Sequence, residues 1–257
     1  NMTYAQPLIS SNNTVIYAAE AIIHAFDINT GEEVWVNKDF QTYGVYWNMA
    51  HGGHYLYVTD RDSGIFAIDP KTGKTVWSTP WDFEKSDYIN YGNFYSPVVV
   101  DYDETIYGAS SKYIYAINGL NGEVKWIKET QHIKNGKKWG IQYSSPLLTD
   151  SDIVYYVFEI RGSDEELNRM SDWERTNDES NWKQRFSGIY AINTENGEII
   201  WNNKDYGSLW TEAVLDENND IISYDNNGYS VLLKGGLALA DSPWPMSGQN
   251  PQLTSRV

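Results

Sequence analysis

His51-Gly52-Gly53-His54 holds the only close pair among the 4 His of a chain that has no Cys. A zinc site built on it needs two more ligands, and the sequence points to none. Asp216, Asn218 and Asp220 alternate like a calcium loop, but neither the Gly nor the later Glu of such a loop follows. Asp and Asn at that spacing serve a tight turn for backbone reasons, and Asp60-Arg61-Asp62-Ser63-Gly64 reads the same way. Lacking Cys, the chain has no disulfides and no thiolate chemistry. Carboxylate pairs for glycoside hydrolysis are available on so acidic a chain, yet no spacing selects one. No nucleophile motif or phosphate loop is present. These residues predict a binding protein more readily than an enzyme, with no catalytic residue, metal or cofactor assigned.

The second set of candidates is aromatic. Of the 11 Trp, four close copies of one short pattern: Trp35, Trp77, Trp126 and Trp201. Each copy runs from an alanine through a glycine turn to the tryptophan. They are Ala25–Gly31–Trp35, Ala67–Gly73–Trp77, Ala116–Gly122–Trp126 and Ala191–Gly197–Trp201. Self-similarity at roughly forty residues, with short strands, marks propeller blades. Turn residues fall where strand alternation breaks, and Gly stands where a positive φ is needed. The predicted fold is all-β: a β-propeller of four-stranded antiparallel blades with five repeat units. Unit five lacks the Gly-and-Trp close. Residues 1–240 form the propeller and residues 241–257 a closing tail. Because an open arc exposes bare apolar faces at both ends, the reading favours a closed five-bladed ring. The four repeat tryptophans are expected to wedge between one blade and the next, each burying on the order of 200 Å².

An insertion at about 162–186 separates strands two and three of unit four. Ser163-Asp164-Glu165-Glu166 has capping-box spacing, so a short helix is predicted there, with Leu167, Met170 and Trp173 on one face. Loops of that length are often functional. In propeller geometry the Gly turns lie at one rim, the bottom. The blade-to-blade connections and this insertion lie at the other, the top. Trp47, Trp81, Trp139, Trp173, Trp182 and Trp210 all map to the top. Tyr4, Trp47, Phe94, Tyr143 and Trp210 precede the inner strand of each unit, with polar residues such as Asn48, Ser144 and Glu212 between. Aromatics above convergent polar groups have the composition of a ligand pocket, and sugars suit it. Inter-blade packing repeated by symmetry is the competing reading. The candidate ligand-binding set is Trp47, Trp139, Tyr143, Trp173, Trp210 and Glu212.

The formal net charge of −16 repels phosphate backbones and anionic membrane surfaces. Lys134, Lys137 and Lys138 form the one dense basic cluster, read here as a solvated loop. No apolar run approaches the ~20 residues of a membrane helix. The expected partners are therefore a protein or a glycan, with no nucleic acid and no membrane insertion.

The Ala-x-Asp-x-x-Thr-Gly-x-x-x-Trp pattern resembles the tryptophan-docking repeat of PQQ-like β-propellers, the quinoprotein dehydrogenase-like superfamily. The tail Lys234-Gly235-Gly236-Leu237-Ala238, followed by Asp241-Ser242-Pro243-Trp244-Pro245-Met246, resembles its closing segment. Members include PQQ-dependent dehydrogenases and outer-membrane assembly scaffolds. The dehydrogenases are usually eight-bladed, and many set an adjacent cysteine pair against the quinone. Their calcium-binding Glu, Asn and Asp have no match here. The resemblance thus implies the non-enzymatic branch: a binding or scaffold propeller, extracytoplasmic or at the cell surface, docking a protein partner through its top face. A carbohydrate-binding module is the alternative, and a glycosidase-like or quinone-dependent enzyme a further one.

Overall fold

The computed structural model describes residues 7–10, 12–19, 22–40, 45–60, 64–80, 97–110, 113–129, 132–134, 137–162, 185–204, 213–225, 228–243 and 245–246. At 45–48, 60, 80, 132–134, 137–145, 159–162, 185–187, 204, 224–225 and 228–232 it describes the backbone alone.

Every described element is a strand, and the strands form five antiparallel sheets. Blade one is β1 (Leu8–Ile9), β2 (Thr14–Ala19), β3 (Ile22–Asp27) and β4 (Glu33–Asn37). Blade two is β5 (Val45–His51), β6 (Leu56–Asp60), β7 (Gly64–Ile68) and β8 (Thr75–Pro80). Blade three is β9 (Val99–Val100), β10 (Thr105–Ala109), β11 (Tyr113–Asn118) and β12 (Val124–Glu129). Blade four has β13 (His132–Lys134), β14 (Lys137–Leu148), β15 (Ile153–Gly162), β16 (Arg185–Asn193) and β17 (Ile199–Lys204). Blade five has β18 (Val214–Leu215), β19 (Ile221–Asp225) and β20 (Gly228–Leu233). In every sheet, strands pair in chain order, the meander of a propeller blade.

The repeat pattern acts through the turn before each outer strand. Asp27 Oδ1 accepts the Asn29 and Thr30 amides at 2.8 and 2.9 Å, and Gly31 then turns at φ 71°. Asp69 and Asn193 likewise accept two amides each, and Asn118 the Leu120 amide, ahead of Gly73, Gly197 and Gly122. Side-chain acceptance of these amides is why the position is Asp or Asn. The ladder slips just after the repeat alanine in all four blades, at Ala25, Ala67, Ala116 and Ala191. A bulge at that point strengthens the local twist and aims the paired tryptophan out of its sheet.

Buried residues form three clusters that follow one another along the chain. One runs through blades one to three, the next through blades three and four, and the last through blades four and five. None joins blade five to blade one among the described residues. Tyr17 of blade one is 41% exposed. On blade one, His24 Nδ1 and Glu33 Oε2 lie 2.8 Å apart.

Two further expectations meet the structure. Lys134, Lys137 and Lys138 do not lie in a loop: Lys134 pairs with Lys137, and β13 extends blade four by a fifth strand. The predicted helix lies at 163–184, outside the described residues; β15 and β16 flank it, with Arg161 opposite Arg185. Beyond blade five the chain returns to blade four. Leu239 bridges Thr149 and Met246 bridges Leu147, and Leu148 and Ala240 exchange further backbone hydrogen bonds with this stretch. The last described residues thereby occupy the free edge of β14.

Candidate functional site: tryptophan seats and a buried carboxylate between blades

Each docking tryptophan is delivered by its outer strand onto the turn of the following blade. Trp35 Nε1 donates to the Pro70 carbonyl (3.0 Å), Trp77 to Gly119 (2.7 Å) and Trp126 to Thr194 (2.7 Å). In each case the acceptor lies three residues before the turn glycine. The indole covers that glycine so closely that a methyl group at Gly122 would stand 2.9 Å from Trp77 Cε3, and one at Gly197 2.6 Å from Trp126 Cε3. Gly73 meets the Trp35 ring the same way. Glycine is thus required twice, for positive φ and for the approach of the ring. Asn37 adds a second tie to blade two, its Nδ2 donating to the Gly73 carbonyl at 2.7 Å. Trp201 packs against the cluster that contains Leu215 and Ile221 of blade five.

Gly73→Ala and Gly31→Ala separate these two requirements. Both glycines have φ 71°, but nothing among the described residues lies within 4 Å of a side chain at Gly31. The Gly31 variant is expected to lose about 1 kcal/mol for left-handed backbone, and Gly73→Ala at least about 2 kcal/mol more for unseating Trp35. Urea unfolding of the two variants checks the difference.

A second feature lies at the bottom rim, between blades two and three. Glu104 is 3% exposed and left-handed, φ 61°. Asn13, Asp152 and Asn219 occupy the same place in the β1–β2, β14–β15 and β18–β19 turns at φ 53–60°. Asn and Asp tolerate that conformation; Glu has no such local compensation. Its carboxylate instead reaches across the blade boundary. It accepts from the Tyr57 hydroxyl, and from the His54 amide at 2.8 Å, with His54 Nδ1 3.1 Å away. Gly52 and Gly53 open the space: a side chain at either would run into the Glu104 carboxylate. Its backbone carbonyl also accepts from Gly119 (2.7 Å), the residue that receives Trp77. Burial, reinforced by the carboxylate, pushes the Tyr57 hydroxyl well above the usual phenol range, so it stays a donor.

The His-Gly-Gly-His motif thus holds a carboxylate. Among the described residues, no three His, Asp or Glu groups are arranged to hold a metal. His51 is buried, with Nδ1 on the Gly52 carbonyl and Nε2 without a hydrogen-bond partner among the described groups. Burial lowers its pKa below the ordinary imidazole value, against a smaller opposing pull from that carbonyl and Glu104. A folded pKa below the unfolded one means the unfolded chain binds the proton first. The stability His51 contributes is present above about pH 6.5 and lost as pH falls below it. Urea midpoints between pH 8 and pH 5 should fall, and His51→Phe should flatten that slope.

Of the ligand-binding set, Trp173, Trp210 and Glu212 lie outside the described residues. Trp47 falls in β5, and Trp139 and Tyr143 in β14, where only the backbone is described. Glu104 and Tyr57 were missed at the sequence level. The signal was the Gly52-Gly53 pair, a hairpin stripped of side chains for something to enter.

Antiparallel meander blades, three of which seat an indole on the next blade's glycine turn, define a tryptophan-docking propeller of the PQQ-like repeat kind. Residues 19–204 match the family model described as outer membrane protein assembly factor BamB, and the chain belongs to that family. It is 28% identical over 119 residues to the outer membrane protein assembly factor BamB of Francisella tularensis, a match spanning 46% of this chain and 24% of that protein. The chain thus spans about a quarter of the length of this curated relative. The crystal structure of BamB from Moraxella catarrhalis superposes with a TM-score of 0.56 at 16% identity, over 93% of this chain and 76% of that one. Quinohemoprotein alcohol dehydrogenase from Comamonas testosteroni gives 0.64 at 17%, over 93% of this chain and 42% of the enzyme. A europium-containing methanol dehydrogenase gives 0.65 at 15%, over 95% and 51%. Identities this low speak for the fold alone. No helix among the described residues is long and apolar enough to cross a membrane.

Proposed function

We propose that this chain is a non-catalytic scaffold propeller that docks a protein partner outside the cytoplasm, in the assembly of outer-membrane proteins. Family membership over residues 19–204 carries this reading, because the matched model and the curated relative are both assembly factors. The seated indoles support it physically. They bind blade to blade, so loops at the opposite rim project from a rigid base and lose little entropy on docking. The contact surface is the top face: Trp47, Trp139, Tyr143, Trp173, Trp210 and Glu212, with the insertion at 162–186. Aromatic anchors of this kind dominate protein interfaces.

The test is a fluorescence titration with an unfolded outer-membrane barrel polypeptide, using wild type, Trp139→Ala and Trp210→Ala. Saturable binding weakened at least tenfold in either variant is the expected result, the size of one interface anchor. Binding unchanged in both variants removes the top face from the reading. A response only to a panel of oligosaccharides replaces the protein partner with a glycan.

A further inference from the structure

Blade four outgrows its neighbours at the top rim. β15 runs 10 residues from the bottom turn, against 5 or 6 for β2, β6, β10 and β19. At the rise of an extended strand, the surplus carries it roughly 15 Å beyond the other blades. The extension is basic in an acidic chain. It holds Lys134, Lys137, Lys138, Arg161 and Arg185 with a single carboxylate, Glu159, whereas the whole chain has 19 Lys and Arg against 35 Asp and Glu. Screening at physiological ionic strength acts over about 8 Å, so the acidic body does not cancel the charge of the tip.

Register sorts these residues. Lys134 pairs with Lys137 at the outermost hairpin. Lysines there keep other strands from adding to an edge, which accounts for those two. Arg161 is different, because it lies in the middle strand, with Gly140 of β14 on one side and Arg185 of β16 on the other. Like charges directly opposite cost stability, and edge protection does not call for them. Lys138 stands two residues from Gly140 along β14, and so on the same face. Alternation from Val157 and Ile189, members of the cluster shared with blade five, places all three cations on the face toward blade five. The neighbouring strand there, β19, ends at Asp225 after 5 residues, short of the extension.

We propose that this face binds an extended acidic segment of the protein partner, with its carboxylates on Lys138, Arg161 and Arg185. This occupant presupposes the docking role inferred above and specifies the partner's chemistry. Arginine takes a carboxylate through two parallel hydrogen bonds, and residues opposite each other on adjacent strands stand roughly 5 Å apart at Cβ. Glu159 shares the face and offsets one of the three cations, which leaves two for the occupant. A bilayer suits the site less well. It would meet the tip of the extension, whereas the three cations lie across the breadth of a sheet.

The test is fluorescence anisotropy of the full chain with a labelled peptide of Glu-Ser repeats, against Gln-Ser repeats as the uncharged control. The expected result is saturable binding of the Glu peptide alone, weakened about tenfold by Arg161→Gln or Arg185→Gln, the size of one charge-assisted contact. Lys74→Gln removes the same charge from an exposed site at the bottom rim and should leave binding nearly unchanged. Arg185→Glu sets opposite charges in register with Arg161, so it should abolish binding while raising the urea midpoint, which separates lost binding from lost fold. Equal binding of both peptides, an equal loss with Lys74→Gln, or no binding by folded wild type overturns the proposal. So does tighter, arginine-dependent binding to phosphatidylglycerol vesicles, because the occupant is then a membrane. The docking role survives any of these results if the barrel polypeptide still loses affinity with Trp210→Ala, and falls separately if it does not.

Discussion

Trp126→Ala is expected to lower the unfolding free energy by about 4 kcal/mol, the cost of emptying a large aromatic site. The residue is 8% exposed, its N–H reaches the Thr194 carbonyl at 2.7 Å, and its ring covers Gly197. Gly197 cannot follow the retreating surface, because its turn is fixed by hydrogen bonds from the Glu195 and Asn196 amides to Asn193. The cavity therefore stays open. Trp126→Phe restores part of the ring area but not the N–H, and should lose about 2 kcal/mol. Urea unfolding measures both. Because this seat is one of the ties between blades three and four, the alanine variant should also unfold less cooperatively. A loss under about 1 kcal/mol would mean that strand contacts, not the indole, hold these blades together.

Glu104→Ala is expected to cost about 3 kcal/mol, since it strands the Tyr57 hydroxyl and the His54 amide that now donate to one buried carboxylate. Glu104→Gln keeps an acceptor and drops the desolvation of a charge, so it should cost about 1 kcal/mol. Glu104→Gly isolates the backbone: without a Cβ it relieves the left-handed φ of 61° and should regain about 1 kcal/mol over Ala. The expected order of urea midpoints is wild type, Gln, Gly, Ala. An alanine variant as stable as wild type would mean that the carboxylate merely fills space.

Much of the fold was legible because the repeat residues act locally. The Asp or Asn that accepts the turn amides, the glycine with positive φ and the strand alternation each leave a mark within a dozen residues. Whether the blades close into a ring leaves no such mark. It depends on small rotations summed over five interfaces, and the Ala-Gly-Trp spacing of blade one is the same whether or not an indole lies on Gly31. The Glu104 clamp was hidden for a related reason. Its partners Tyr57 and His54 lie about fifty residues away on another blade, and in sequence Glu104 looks like one more acid in an Asp-Tyr-Asp-Glu turn. Lys134 and Lys137 were misplaced because charge suggested solvent, while the pairing that adds β13 to blade four is a backbone matter.

The return of the chain to β14 bears on how the molecule folds during synthesis. The indoles of blades one and two need turns that emerge about forty residues later, so blades one to three can lock in order as the chain lengthens. Blade four cannot finish that way. The edge of β14 at Leu147 waits for Met246, roughly a hundred residues downstream, and long loop closures of this kind are slow. Until that segment arrives, an unpaired strand edge faces whatever else is nearby. Blade four is therefore where a nascent chain is most exposed to mispairing, and where truncation after blade five would do its damage.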